Sequence, residues 1–153
     1  MLLQDLRHDA ERANLPFSVS CDLPQPLLFE LADGRFQLID RTPPSPSPFM
    51  AGPRYLLVEQ ALADFLRELA LERVRFEPAV LFDRATGVEH RDHVRVRIGQ
   101  FFTHDQIHDL AVDGCRLMTL NEEYCFASDA LVSRLRAAGF PYLRFSLGLS
   151  QFG

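Results

Sequence analysis

From Val94 to Ile98 the chain alternates without a break, with Val94, Val96 and Ile98 on one side and Arg95 and Arg97 on the other. A period of two sends successive side chains to opposite faces of a strand, so this segment reads as half-buried β structure. Its apolar face needs a second layer to cover it, and its arginine face reads as solvated. The run Val74–Asp83 also reads as a strand, and Arg84-Ala85-Thr86-Gly87 between the two is a turn. The pair is therefore a long hairpin. Pro78 has no N–H to give a ladder, which places it at an edge or a bulge.

The remaining segments fall around this hairpin. Leu2, Leu3, Leu6 and Ala10 recur at helical spacing and predict a helix over 2–13. A second hairpin turns at Ala32-Asp33-Gly34, between LLFEL and RFQLID. The stretch TPPSPSPFMAGP, residues 42–53, holds five prolines and predicts an extended connector. RYLLVEQALADFLREL opens as a strand and becomes a helix with Ala61, Leu62, Phe65, Leu66 and Leu69 on one face. THDQIHDLAVDG predicts a short helix or turn ending at Gly114. CRLMTL and YCFA form a third hairpin about Asn121-Glu122-Glu123. Ser128 is placed to N-cap a helix that buries Ala130, Leu131, Leu135 and Ala138 and stops at Gly139 before Pro141. YLRFSLGL is a last strand. Hairpins outnumber strand–helix–strand crossovers, so the expected class is α+β, a single domain with a mainly antiparallel sheet and two to three helices packed on it. Along the chain this gives an N-terminal helix and hairpin (1–41), the proline-rich connector (42–53) and a main region (54–153).

A chain of 153 residues is long enough to bury a core without disulfide or metal staples. Its net charge of −5 argues against a nucleic-acid partner, which calls for a basic footprint. All sixteen basic residues are arginines, so neither a Schiff-base lysine nor a phosphate-loop lysine is available. Cys21, Cys115 and Cys125 form no CxxC pair and no even set, which speaks against a disulfide framework. Acidic residues interrupt any apolar signal at the N-terminus, and no apolar run predicts a membrane partner. The expected location is the cytoplasm.

Four of the five histidines fall between positions 90 and 108, among Asp92, Asp105 and Asp109. On a helix His104 and His108 would share a face and could offer two ligands to a metal. His90 and His93, three apart on a strand, point to opposite faces and cannot both join them. HxxxH without the glutamate at its second position lacks the zinc-protease signature. No GxSxG elbow, GxGxxG or Walker-type loop occurs. Cys115 and Cys125 read as small buried hydrophobes, and Glu122-Glu123 as a solvated turn. No cofactor is expected and no catalytic set emerges. Two alternatives stay open: a metal- or thiol-dependent enzyme on His104, His108 and Cys115, and a self-associating module built on the C-terminal Phe145, Leu147, Leu149 and Phe152.

Three blocks within residues 54–145 resemble the immunity proteins of bacterial polymorphic toxin systems, of the Myxococcus type once catalogued as a domain of unknown function. They are RYLLVEQALADFLREL, VRFEPAVLFDRATGVEHRDHVRVRIG and YCFASDALVSRLRAAGFPYLRF. The last carries Phe126, Ser128, Leu131, Leu135, Gly139 and Phe145. These are caps, turns and core positions. The chain departs from the pattern in being shorter between Phe102 and Arg116 and in carrying the proline-rich segment, which bears on the partner surface. The resemblance implies a cytosolic antidote that binds a cognate toxin or effector protein, and it transfers no site residues. For such a partner, charged positions on irregular segments are the expected contacts: Arg91, Asp92, Asp105, Asp109, Glu122 and Glu123.

Overall fold

The computed structural model describes residues 15–32, 34–39 and 46–149. The expected N-terminal helix and Phe152 lie outside them, as do Asp33 and residues 42–45. The strands, in order, are Phe17–Cys21 (β1), Leu28–Ala32 (β2), Arg35–Leu38 (β3), Phe49–Gly52 (β4) and Tyr55–Glu59 (β5). They continue with Val74–Asp83 (β6), Val88–Ile98 (β7), Phe101–Phe102 (β8), Leu117–Leu120 (β9), Tyr124–Ala127 (β10) and Leu143–Leu147 (β11). Two helices, Gln60–Glu68 (α1) and Asp129–Ala138 (α2), and a 3-10 turn at His104–Gln106 complete the described elements. The class is α+β, in one domain.

The strands form two sheets, ordered β11-β1-β10-β9-β8 and β2-β3-β6-β7-β5-β4. Only β3–β6 and β8–β9 pair in parallel among the described strands. The main core lies between the sheets. Val94 and Val96 of β7 enter it with Leu56 and Val58 of β5, and the other sheet supplies Val19, Leu117, Cys125 and Ala127. Both helices pack into the same core, α1 through Leu62, Ala63 and Leu66 and α2 through Leu131, Val132 and Leu135. Burial pushes the Cys125 thiol up to about 12, because a thiolate would have no solvent there.

Each sheet also has an outer face. On the five-stranded sheet it is closed by Phe102, Ile107, Met118, Leu120 and Phe126, with Leu110 and Val112 of the segment after the 3-10 turn packed over them. On the six-stranded sheet the β2–β3 hairpin supplies Phe36, which packs with Met50, Leu57, Ala79 and Leu81. That second cluster leaves part of the outer face to charged side chains.

Several local expectations need correction. Residues 49–52 are not connector but β4, with Phe49 and Met50 buried and paired to Val58 and Leu57. Four residues without proline, two of them large and apolar, suffice to close the edge. Pro78 is not on an edge strand, since β6 runs between β3 and β7. It lies beyond the stretch paired to β3, Val80–Phe82, and beside the bulge between Ala79 and Leu81, so its missing N–H costs no ladder bond on that side. Ser128 is the N-cap residue of α2, as expected, but its side chain makes no cap hydrogen bond. Its hydroxyl accepts from the Arg116 N–H at 2.9 Å and donates to the Gly114 carbonyl at 2.6 Å, tying the helix start to the segment that leads into β9. Ala61, Ala130 and Ala138 are exposed, while Ala63 and Val132 take their places in the core. Cys115 is half-buried rather than interior.

Candidate functional site

The charged part of the outer face is a cleft of about 570 Å³ where β5, β6, β7 and the β9–β10 turn meet. Five arginines line it (Arg54, Arg73, Arg75, Arg95 and Arg97) against two glutamates, Glu30 and Glu122. Cross-strand register assembles it, with Arg75 opposite Arg97 and Glu77 opposite Arg95. A concave lining with this excess of positive charge stands out on a chain of net charge −5.

The five guanidinium groups do different work. Arg95 is only 4% exposed, contrary to the solvated face expected for it. Its Nη1 donates to Glu30 of β2 at 2.5 Å, its Nη2 donates to the Arg54 carbonyl at 2.8 Å, and its plane lies over the Phe36 ring, 5.4 Å from the centroid. It is a strut that joins the hairpin to the β4–β5 turn. Arg97 gives its Nε to Glu77. Arg54, Arg73 and Arg75 are exposed and make no ion pair among the described residues.

The backbone beneath them is strained. Among the described residues five non-glycine residues hold positive φ, and three of these line the cleft: Arg54 (64°), Arg73 (58°) and Glu122 (55°). Such conformations cost about 1 kcal/mol or more each and persist only where the surroundings impose them. At Arg54 the imposition is visible, because Pro53 sets the first turn position and leaves Arg54 the one that favours glycine. The Arg54 N–H donates to the Glu122 carbonyl at 2.7 Å, so both strained turns hold one another. The Arg73 carbonyl accepts from Gly99 N–H at 2.6 Å, and a Cβ at Gly99 would sit 3.1 Å from that oxygen. Phe101 stands at the rim, 57% exposed.

The β2–β3 hairpin has its own unusual surface. Leu28 and Glu30 point inward. Leu27, Phe29 and Leu31 point outward, 63%, 58% and 49% exposed, with Ile39 at 53% across the pair. Among the described strands β2 is also the edge of its sheet.

The residues singled out in the sequence are dispersed. Arg91 and Asp92 lie within β7 rather than on a loop. Arg91 pairs with Glu89 at 2.5 Å, and the hydrogen bonds from Arg91 and Arg35 hold Glu89 below its usual range. Asp92 also titrates low. Partial burial works against this and is outweighed by hydrogen bonds and by the His93 and His90 rings. Asp105 and Asp109 are exposed on the 3-10 turn and the bends after it, and Glu123 is half-buried in the β9–β10 turn. Of the six, Glu122 lines the cleft.

His104 and His108 are exposed and not on one helix, since the 3-10 turn ends at Gln106. His93 is buried, its Nε2 2.9 Å from the Ser47 carbonyl and its Nδ1 3.2 Å from Asp92. Both nitrogens face acceptors, so the ring serves as a tie between β7 and residues 46–48 rather than as a base. Among the described residues no three His, Cys, Asp or Glu side chains gather as a metal-ligand group, and no helix is long and apolar enough to cross a membrane.

Arg54, Arg73 and Arg75 were not singled out in the sequence. The signal for Arg75 was present, since Arg75 and Glu77 alternate on one face of β6, but the partner register was not. No family model, curated protein or solved structure matches the chain.

Proposed function

We propose that this chain is an immunity-type protein, acting in the cytoplasm by binding and neutralising a cognate bacterial toxin or effector. The observation that carries this reading is the outward face of the β2–β3 hairpin. A large apolar side chain exposed singly is ordinary, but Phe29 and Leu31 are exposed on the edge strand β2, with Leu27 exposed just before it and Ile39, whose N–H donates to the Leu27 carbonyl, exposed just after β3. An edge strand also offers unpaired backbone groups to a partner strand. The blocks that resemble immunity proteins lie in the same domain, and the chain's net charge of −5 favours approach to a basic toxin surface.

The test is a binding titration between this chain and the C-terminal domain of the protein encoded next to it, which this reading expects to be a toxin. Phe29→Asp should weaken binding by about a hundredfold, the loss of one interface hot spot, while the circular dichroism spectrum stays that of the parent. Absence of binding by the parent chain would sink the reading. So would a dimer of this chain that Phe29→Asp dissociates, because the face would then be occupied by a second copy.

A further inference from the structure

We propose that the arginine cleft is a binding site for a small ligand carrying clustered phosphate groups. This goes beyond the hairpin reading and does not depend on it.

The argument begins with what the cleft already satisfies. Carboxylates within the chain occupy Arg95 and Arg97, one each, through Glu30 and Glu77. A carboxylate is planar with two oxygens, and one guanidinium fork meets it. Arg54, Arg73 and Arg75 are left, and they come from three separate places: the β4–β5 turn, the segment before β6, and β6 itself. Cations converging from three directions suit an anion whose oxygens also point in several directions, which describes a terminal phosphate. Adjacent phosphates would engage more of the set.

The backbone strain is the second observation. Arg54 and Arg73 are held in left-handed conformations by the Arg95 strut, the Glu122 carbonyl and the Gly99 N–H. An exposed arginine needs no such device to be solvated. Strain that over-determines the placement of two cations is what a preorganised site contains. Size is the third. About 570 Å³ matches a small-molecule pocket and not an extended polymer. Thr119 adds a hydroxyl to the lining, and Phe101 offers an aromatic face at the rim. A short inorganic oligophosphate such as tripolyphosphate and a nucleoside polyphosphate share the chemistry recognised here, and Phe101 is the group that would separate them.

The experiment is calorimetric titration of the full chain with tripolyphosphate, ATP, adenosine and a hexaglutamate peptide. Tripolyphosphate and ATP should bind, adenosine should not, and affinity should fall as salt rises. Tighter binding of ATP, lost in Phe101→Ala, would identify a nucleotide, and equal binding would identify the inorganic anion. Arg73→Ala with Arg75→Ala should reduce affinity about a hundredfold, each lost charge-assisted contact being worth about tenfold. Arg91→Ala, outside the cleft, should leave it unchanged. Three results would overturn the proposal: no heat from either phosphate ligand up to about 1 mM, the weakest range worth calling a site; affinity indifferent to the Arg73 and Arg75 changes; or hexaglutamate binding more tightly than tripolyphosphate, which would make this a docking groove for an acidic peptide.

Discussion

The outer faces of the two sheets begin from the same problem and solve it differently. Each must be kept from presenting a broad apolar surface to water. The five-stranded sheet closes its face with Phe102, Met118, Leu120 and Phe126 beneath Ile107, Leu110 and Val112. The six-stranded sheet closes half of its face with Phe36 and leaves the other half to arginines. An apolar lid over that second half would have served stability as well. The arginines there are instead propped by a buried strut and by strained turns, at a cost the fold does not require. This difference points to the cleft as a place where stability has been given up for binding.

The contrast predicts unequal responses to mutation. The largest belongs to the closed face. Phe126 is fully buried, edge-on to Phe102 with ring centroids 5.0 Å apart. Phe126→Ala should destabilise the protein by about 3–5 kcal/mol, through lost transfer energy and the cavity left behind. Chemical denaturation measures this directly. A loss as small as that of an exposed substitution would show that the closed face is not the rigid half of the molecule.

A middle-sized effect is expected where the two worlds touch. Glu30→Ala leaves Arg95 buried without its carboxylate. Removing one member of a fully buried pair costs about 3–5 kcal/mol, but Glu30 is itself 39% exposed and water can reach the vacated space. About 1–3 kcal/mol is the expected loss, read in the same denaturation experiment. Because Arg95 also holds the Arg54 carbonyl, this change should loosen the β4–β5 turn, visible as faster amide exchange at Arg54 and Tyr55. Unchanged exchange there would mean that Arg95 is not a strut.

Much of the main core was legible in the sequence, and little of the cleft was. The alternation of Val94, Val96 and Ile98 identifies β7 and its core face without reference to anything distant. Gly139, with φ of 83°, ends α2 where a glycine before Pro141 should. Arg95 carries the same local pattern as Arg97, yet one is buried and the other is not. What separates them is Glu30, sixty-five positions earlier in the chain, and Phe36 on the same hairpin. Register was the other obstacle. Counting back from the turn at Asp83 and Val88 would set Arg97 opposite Val74, and the bulge between Ala79 and Leu81 slips it by one residue to Arg75. A one-residue slip exchanges the faces of a strand, so the cluster could not be assembled from strand patterns alone. The hairpin itself was legible, but its facing was not. In LLFEL one face is Leu27, Phe29 and Leu31 and the other Leu28 and Glu30, so alternation alone would turn Phe29 inward; Glu30 instead turns to Arg95 and leaves the apolar face exposed.

The smallest effect has the most informative sign. Arg54 occupies a turn position that favours glycine, at φ of 64°, and its side chain makes no ion pair among the described residues. Arg54→Gly relieves the strained backbone but gives the unfolded chain more freedom, and these two terms oppose one another. The relief of about 1 kcal/mol or more should exceed the entropic term, so the variant should be up to about 1 kcal/mol more stable than the parent. In the same variant the cleft loses one of its three uncompensated cations, and phosphate affinity should fall. A gain in stability coupled to a loss of binding is the signature of a residue kept for its ligand. If Arg54→Gly instead lowers the midpoint of thermal unfolding, the arginine supports the turn, and the contrast between the two outer faces is one of packing alone.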